Sequence, residues 1–304
     1  KVVTFHSYAI ITIAIKFKRQ MILKFFYKEL KMKRTLISAL VAGCVGLASF
    51  AAAAGTVVVN GSTTVLPAMQ KISETFMAKH KDIQVSLSGG GSGHGIKSLM
   101  DKTTDVAMAS RDMKPAEVEN VKKNGGEAVR FTVAIDAIVP IVNPKNTVKD
   151  LSLQQIRDIY AGRITNWKDV GGPDARITVV SRDSSSGTFE TWEELVMKGE
   201  RVQQRALLQA SNGAVLQTVA KNPNAIGYVG LGYITKDIKG LNIGGVTASA
   251  DTALSRTWPL ARDLYLFTNG QPKGDTKTLI DYALSPEGQI SVKEVGFVPV
   301  PTKK

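Results

Sequence analysis

Apolar residues along this chain switch repeatedly between short continuous runs and a three-to-four spacing, the alternation that α/β sheets produce. Val57-Val58-Val59 reads as a strand. Val65, Met69, Ile72 and Phe76 then recur on one face of a helix that tolerates Pro67 in its first turn. Val85-Ser86-Leu87 is followed by Ile96, Leu99 and Met100, and Ile177 to Val180 by Phe189, Trp192 and Val196, the same strand-then-helix order twice more. Further helices are predicted over Leu153–Tyr160, Ala214–Lys221, Thr276–Leu284 and Pro286–Val295. Two apolar runs, Ala137 to Val142 and Leu260 to Phe267, are spaced as crossovers between lobes. They predict a discontinuous first α/β lobe (55–138 plus 258–304) and a continuous second one (139–257).

The first 54 residues follow a different pattern. From Met32 a basic pair, Lys33-Arg34, precedes an apolar run from Leu36 to Phe50 and then Ala51-Ala52-Ala53-Ala54. A basic start, a short apolar core and a small-residue A-x-A site predict a signal peptide over 32–54, cleaved near Ala53 or Ala54, and hence a periplasmic location. Residues 1–31 are expected to be an upstream extension without function. Their apolar stretch, Tyr8 to Phe26, is interrupted by Lys16, Lys18, Arg19 and Lys24 and does not read as a membrane span. The single cysteine, Cys44, lies in Val41-Ala42-Gly43-Cys44, which also resembles a lipobox, so lipid anchoring there is the alternative. The apolar residues that continue to Phe50 favour the soluble reading. Either way no disulfide is available, and the exported part must be held by packing.

The formal charge of +13 overstates how basic the exported part is. Removing the nine Lys/Arg and one acid of residues 1–54 from the 39 and 26 of the whole chain leaves a net +5. Without a basic block or interleaved aromatics, nucleic-acid binding is not expected. A mildly positive field favours small anions.

Candidate chemistry lies in the turns between each strand and its helix. Gly61-Ser62-Thr63-Thr64, Gly89-Gly90-Gly91-Ser92-Gly93 and Arg182-Asp183-Ser184-Ser185-Ser186-Gly187-Thr188 can each present backbone N–H groups and hydroxyls at the positive end of a helix. One such turn is an ordinary N-cap. Three, one of them carrying an arginine, suggest a site that surrounds an oxyanion. The glycine-rich loop matches neither G-x-G-x-x-G nor a P-loop, and its entropic cost is rational where something must approach the backbone closely. Arg182 supplies a planar fork of donors, while Asp183 either orients it or caps the helix. Met108-Ala109-Ser110-Arg111 ends another strand with a second arginine, which by itself reads as an ion-pair partner.

No catalytic or metal constellation is evident. Of His6, His80 and His94 only His94 lies in a motif, neither Ser92 nor Ser186 sits in a G-x-S-x-G elbow, and there is no H-E-x-x-H or paired cysteine. No enzyme activity, cofactor or metal is expected. A set rich in donors without a nucleophile–base pair binds.

Seven segments appear in order: Gly61-Ser62-Thr63-Thr64 with Pro67, the Gly89–Gly95 loop, Asp105 through Ser110-Arg111, Ile164-Thr165-Asn166-Trp167-Lys168-Asp169-Val170-Gly171-Gly172, Ser186-Gly187-Thr188, Ala225-Ile226-Gly227-Tyr228 and Leu284-Ser285-Pro286-Glu287-Gly288-Gln289. Together they resemble the PstS-type phosphate-binding proteins of bacterial ABC transporters, over essentially all of residues 55–304. The resemblance implies a type II periplasmic binding protein fold, two α/β lobes joined by two crossover strands and closing on one inorganic phosphate, read as a monomer by a membrane permease. It implies a ligand set of Ser62, Thr63, Thr64, Ser92, Gly93, Ser110, Arg111, Arg182, Ser186, Gly187 and Thr188. Arg111 departs from the aspartate that many members carry, which accepts the proton of hydrogen phosphate; phosphate-over-sulfate selectivity is therefore open. The alternatives are a receptor for sulfate or molybdate, a phosphoester hydrolase using Ser92 and His94, and a scaffold that binds nothing.

Overall fold

A computed structural model describes residues 55–301 together with Met21. The expectations about the signal peptide, Cys44 and the upstream extension fall outside the described residues. In chain order the elements are β1 (Gly55–Gly61), α1 (Leu66–Lys79), β2 (Ile83–Gly89), α2 (Ser92–Met100), β3 (Val106–Ala109), α3 (Pro115–Lys123), β4 (Ala128–Val142), β5 (Asp150–Leu151) and α4 (Leu153–Ala161). They continue with β6 (Thr178–Arg182), α5 (Gly187–Trp192), β7 (Leu207–Gln209), α6 (Asn212–Lys221), β8 (Ala225–Gly230), β9 (Lys239–Gly240), β10 (Asn242–Ile243), α7 (Ala250–Leu254), β11 (Ala261–Asn269), α8 (Gly274–Leu284) and α9 (Pro286–Glu294).

The main sheet runs β2-β1-β3-β11-β4-β8-β6-β7. β1 pairs in parallel with β2 and β3, whereas β11 is antiparallel to both β3 and β4. The fifteen-residue β4 belongs to both halves. Its residues up to Ala137 pair with β11, and Ile138 to Val142 pair with β8 instead. The sequence expectation of an extended Ala137–Val142 covers only the second part of this strand. The first part, with Arg130 and Thr132 among its apolar residues, carries no clear period. Parallel β6, β7 and β8 complete the second half.

Packing follows the strand-then-helix order. β3 is buried on both faces: Val106 and Met108 join the cluster made by α1, α8 and α9, while Ala107 and Ala109 face Ile96, Leu99 and Phe267. Alternate side chains of a strand point to opposite faces, so burial on both gives a continuous apolar run. A separate large core holds Ile141, Ile156, Tyr160, Val180, Trp192, Val215, Tyr228 and Trp258. Trp258 donates its indole N–H to the Ile138 carbonyl at 3.0 Å, tying the segment before β11 to the point where β4 changes partner. The Ile-Thr-Asn-Trp motif is structural: Trp167 is buried and its Nε1 donates to the Asn224 carbonyl at 3.0 Å, while Asn166 accepts from the Lys168 N–H. No helix of the described residues is long and apolar enough to cross a membrane.

Candidate functional site

The candidate residues all lie at carboxyl ends of strands, where α/β sheets place ligands. Ser62, Thr63 and Thr64 follow β1, Ser92 and Gly93 follow β2, Ser110 and Arg111 follow β3, Arg182 ends β6, and Ser186 to Thr188 open α5. Ser62, Thr63, Thr64, Ser92, Ser110, Arg182, Ser186 and Thr188 are all buried. Polar side chains persist in such a place only with hydrogen-bonding partners.

Those partners come from both halves. Thr64 Oγ1 lies 2.8 Å from Thr188 Oγ1. Ser92 Oγ is 3.2 Å from Ser110 Oγ and accepts the Ser110 N–H at 3.0 Å. A Cβ on Gly187 would stand 2.4 Å from Ser92 Oγ and 2.9 Å from Ser110 Oγ, so glycine is what allows the α5 terminus to touch these serines. The loop after β6 also rests on the glycine-rich loop. The Gly93 N–H donates to the Ser185 carbonyl at 3.0 Å, and Ser185 Oγ donates to the Gly90 carbonyl at 3.0 Å. Gly91 combines a φ of +99° with a Cβ position 2.5 Å from the Ser185 carbonyl oxygen. The close approach that its glycines permit is made by the protein's own backbone.

Two hydroxyls hold local turns. Ser62 Oγ accepts the Thr64 N–H at 3.1 Å, and Ser186 Oγ caps α5 by accepting the Phe189 N–H at 3.2 Å. Asp183 takes neither of its two sequence readings: its Oδ1 fixes the turn by accepting from the Ser185 N–H and hydroxyl, while Ser186 caps α5. Arg182 is oriented by carbonyls: Nε donates to Gln209 at 2.9 Å and Nη2 to Ala210 at 3.0 Å. Its Nη1 is buried and has no hydrogen-bond partner. Behind it, the Tyr228 hydroxyl accepts the Arg182 N–H at 3.2 Å, and Tyr228 stacks on Trp192 with ring centroids 4.1 Å apart.

Arg111 is engaged elsewhere. Its Nη1 and Nη2 donate to the Glu117 carboxylate at 2.7 and 2.9 Å, and its Nε lies 2.9 Å from Glu190 Oε2 without hydrogen-bond alignment. Burial pulls its pKa down, but the Glu117 and Glu190 carboxylates outweigh that and hold it above the ordinary arginine value. His94 is exposed on α2. Among the described residues, no group of three or more His, Cys, Asp or Glu side chains could hold a metal ion.

Four residues join the site that the sequence reading did not single out. Asn212, at the start of α6, is fully buried; its Nδ2 donates to Thr63 Oγ1 at 3.1 Å and Thr64 Oγ1 at 3.0 Å. The Gly230 N–H donates to Asn212 Oδ1 at 3.2 Å and so sets the amide's orientation. The Tyr233 hydroxyl donates to the Thr63 carbonyl. Asp136 on β4 and Arg262 on β11 face each other in register, with Nε and Nη2 donating to Oδ2 at 3.0 and 2.9 Å. Burial pushes the Arg182 and Arg262 pKa values down, opposed by Asp183 and Asp136 respectively, and neither guanidinium leaves its charged form. The signal for the last pair was present: Asp136 directly precedes the Ala137–Val142 run, and Arg262, followed by Asp263, stands inside the Leu260–Phe267 run.

A family model described as a PBP superfamily domain matches residues 48–287. The chain is 33% identical over 256 residues to the phosphate-binding protein PstS of Borreliella burgdorferi, covering 80% of this chain and 90% of that one. This chain belongs to the PstS family of the PBP superfamily. The family is one of binding proteins and not of enzymes, and its fold is the two-lobe α/β arrangement. The PstS of Bacillus subtilis is 31% identical, with 83% of each chain covered. Among solved structures, a putative phosphate ABC transporter substrate-binding protein with bound phosphate from Clostridium perfringens matches with a TM-score of 0.76. It is 34% identical, covering 81% of this chain and 100% of that one. An ABC-type phosphate transport receptor from Vibrio cholerae matches at a TM-score of 0.66 and 31% identity, with 81% and 100% covered.

Proposed function

We propose that this chain captures inorganic phosphate between its two lobes and delivers it to the permease of an ABC transporter. The carrying observation is the meeting of buried hydroxyls from both halves, Thr64 against Thr188 and Ser92 beside Gly187, next to Arg182 with its unpartnered Nη1. Family relatives named for phosphate binding support the choice of anion. The lobes are taken to divide at 138 and 258, where β4 changes partner and the chain returns. The ligand set is Thr63, Thr64, Ser92, Gly93, Ser110, Arg182, Gly187 and Thr188. Ser62 and Ser186 hold their turns, and Arg111 stands outside the hydroxyl cluster. The protein works outside the cytoplasm, as a monomer and without catalysis.

A desolvated dianion is costly unless donors replace its water. Micromolar binding needs about 8 kcal/mol, and a hydrogen bond to a charged group contributes about 1.5–3 kcal/mol, so several donors are required. Because donors come from both lobes, phosphate favours the closed arrangement, and that differential affinity drives closure. Isothermal titration with phosphate, sulfate and molybdate is the test. Heat with phosphate that disappears in Arg182→Ala supports the proposal. Heat with sulfate or molybdate alone moves the assignment to another oxyanion, and no heat with any of them refutes it.

A further inference from the structure

Arg262 is buried among the loops that carry the candidate anion ligands. It lies on β11 opposite Asp136, on the two strands that link the halves, and is 7% exposed. Its guanidinium spans three of the ligand loops. Nη1 donates to the Ser110 carbonyl at 3.1 Å; Nη2 donates to Thr188 Oγ1 at 2.9 Å and approaches Thr64 Oγ1 at 3.5 Å, in addition to Asp136 Oδ2. Thr64 and Thr188 belong to opposite lobes and also touch each other. Nη2 therefore has three acceptors for two hydrogens, one of which is directed at the hydroxyl pair.

Stability gives little reason for this arrangement. A buried ion pair at best roughly offsets its own desolvation, and apolar side chains of similar volume commonly serve as well. A ligand supplies a better reason. Arg182 contributes one positive charge to a dianion; the Arg262 charge is balanced by Asp136, so what Arg262 adds is a fixed fork of donors, held by Asp136 while the Leu231 N–H, donating to Oδ1 at 2.8 Å, fixes the carboxylate. We infer that Arg262 is a second anion-binding arginine, turned from the Thr64–Thr188 hydroxyls to a ligand oxygen, with Asp136 as its positioning residue.

The inference rests on the phosphate-binding reading. It is tested by titrating the whole chain with inorganic phosphate from about pH 5.5 to 8, a range that takes the ligand from mainly singly to mainly doubly charged. Wild type, Arg262→Lys and the double variant Asp136→Asn/Arg262→Gln are compared, the last replacing the ion pair by neutral hydrogen-bonding groups. In the wild type, affinity rises with pH as the dianion forms. In the double variant it is expected to fall about 100-fold at pH 8, the loss of up to two charged hydrogen bonds, and to depend less on pH, because a bond from a charged donor strengthens more with a second ligand charge than one from a neutral amide. Arg262→Lys keeps the charge without the fork, so it should retain the pH dependence at reduced affinity. A change confined to folding would lower the melting temperature and leave the pH profile of the folded fraction untouched. A folded double variant that binds within threefold of wild type with the same pH profile overturns the inference alone. A wild type that gives no heat overturns the phosphate reading and this inference with it.

Discussion

At the residue scale, the contact that decides whether the halves can meet is Gly187 against Ser92. A methyl group at Gly187 would lie 2.4 Å from Ser92 Oγ and 2.9 Å from Ser92 Cβ. A hydroxyl can rotate away, but a Cβ fixed to α2 cannot without moving the helix. Gly187→Ala is therefore expected to hold the lobes apart. It should weaken phosphate binding at least tenfold in calorimetry, about 1.4 kcal/mol, with a melting temperature within a few degrees of wild type. Unchanged affinity would mean that the lobes do not close at this point. This was half legible in the sequence. Ser-Gly-Thr after Arg182 marks a helix terminus with donors, but nothing local reveals that the partner of the glycine is a serine almost a hundred positions earlier. Asn212 was hidden for the same reason: Ser211-Asn212 looks like a helix start, and Ser211 does cap it by accepting the Ala214 N–H, while Asn212 reaches across to Thr63 and Thr64.

At the element scale, α3 and α5 approach each other through Arg111. That side chain forks onto Glu117 in α3 and lies beside Glu190 in α5, which Lys114 also contacts at 2.6 Å. Ion pairs made across the two halves exist only when those halves are together, so they add to closure in the same direction as the ligand. Burial pushes the Glu117 carboxyl up, but bonds from Arg111 and from the Lys114 N–H outweigh it and hold the pKa below the ordinary glutamate value of 4.5. A depressed folded pKa gives stability that is present above the unfolded value and is lost as pH falls through the folded one. Glu117→Gln should accordingly lower the melting temperature by about 1–3 °C at neutral pH, and the difference from wild type should shrink below about pH 4.5. A difference that stays constant into acid would show that Glu117 acts only by packing. Element types were largely legible, since the helices predicted from 153, 214 and 286 have serine or proline starts, whereas α8 begins at Lys273-Gly274 without a side-chain cap. β4 was not, because its first five residues are half-buried or exposed and include Arg130 and Thr132, whereas Val133 to Val142 are buried without interruption.

At the scale of the whole molecule, two hydrophobic cores share one long strand, and the polar site lies where the elements of both cores meet. The cores were visible as apolar periodicity. The charges between them were visible only as oddities, Asp136 at the edge of one apolar run and Arg262 beside Asp263 inside the other, whose pairing needed the strand register to be seen. Such an arrangement suits capture: rigid packing on each side, and between them donors whose partner is shared. A crystal structure of the chain grown with inorganic phosphate tests this claim most directly. One phosphate is expected within hydrogen-bonding distance of Arg182 and of donors from both lobes, Thr64 or Ser92 on one side and Thr188 on the other. A phosphate held by one lobe only, or bound at the surface while the Thr64–Thr188 contact stays intact, would contradict it.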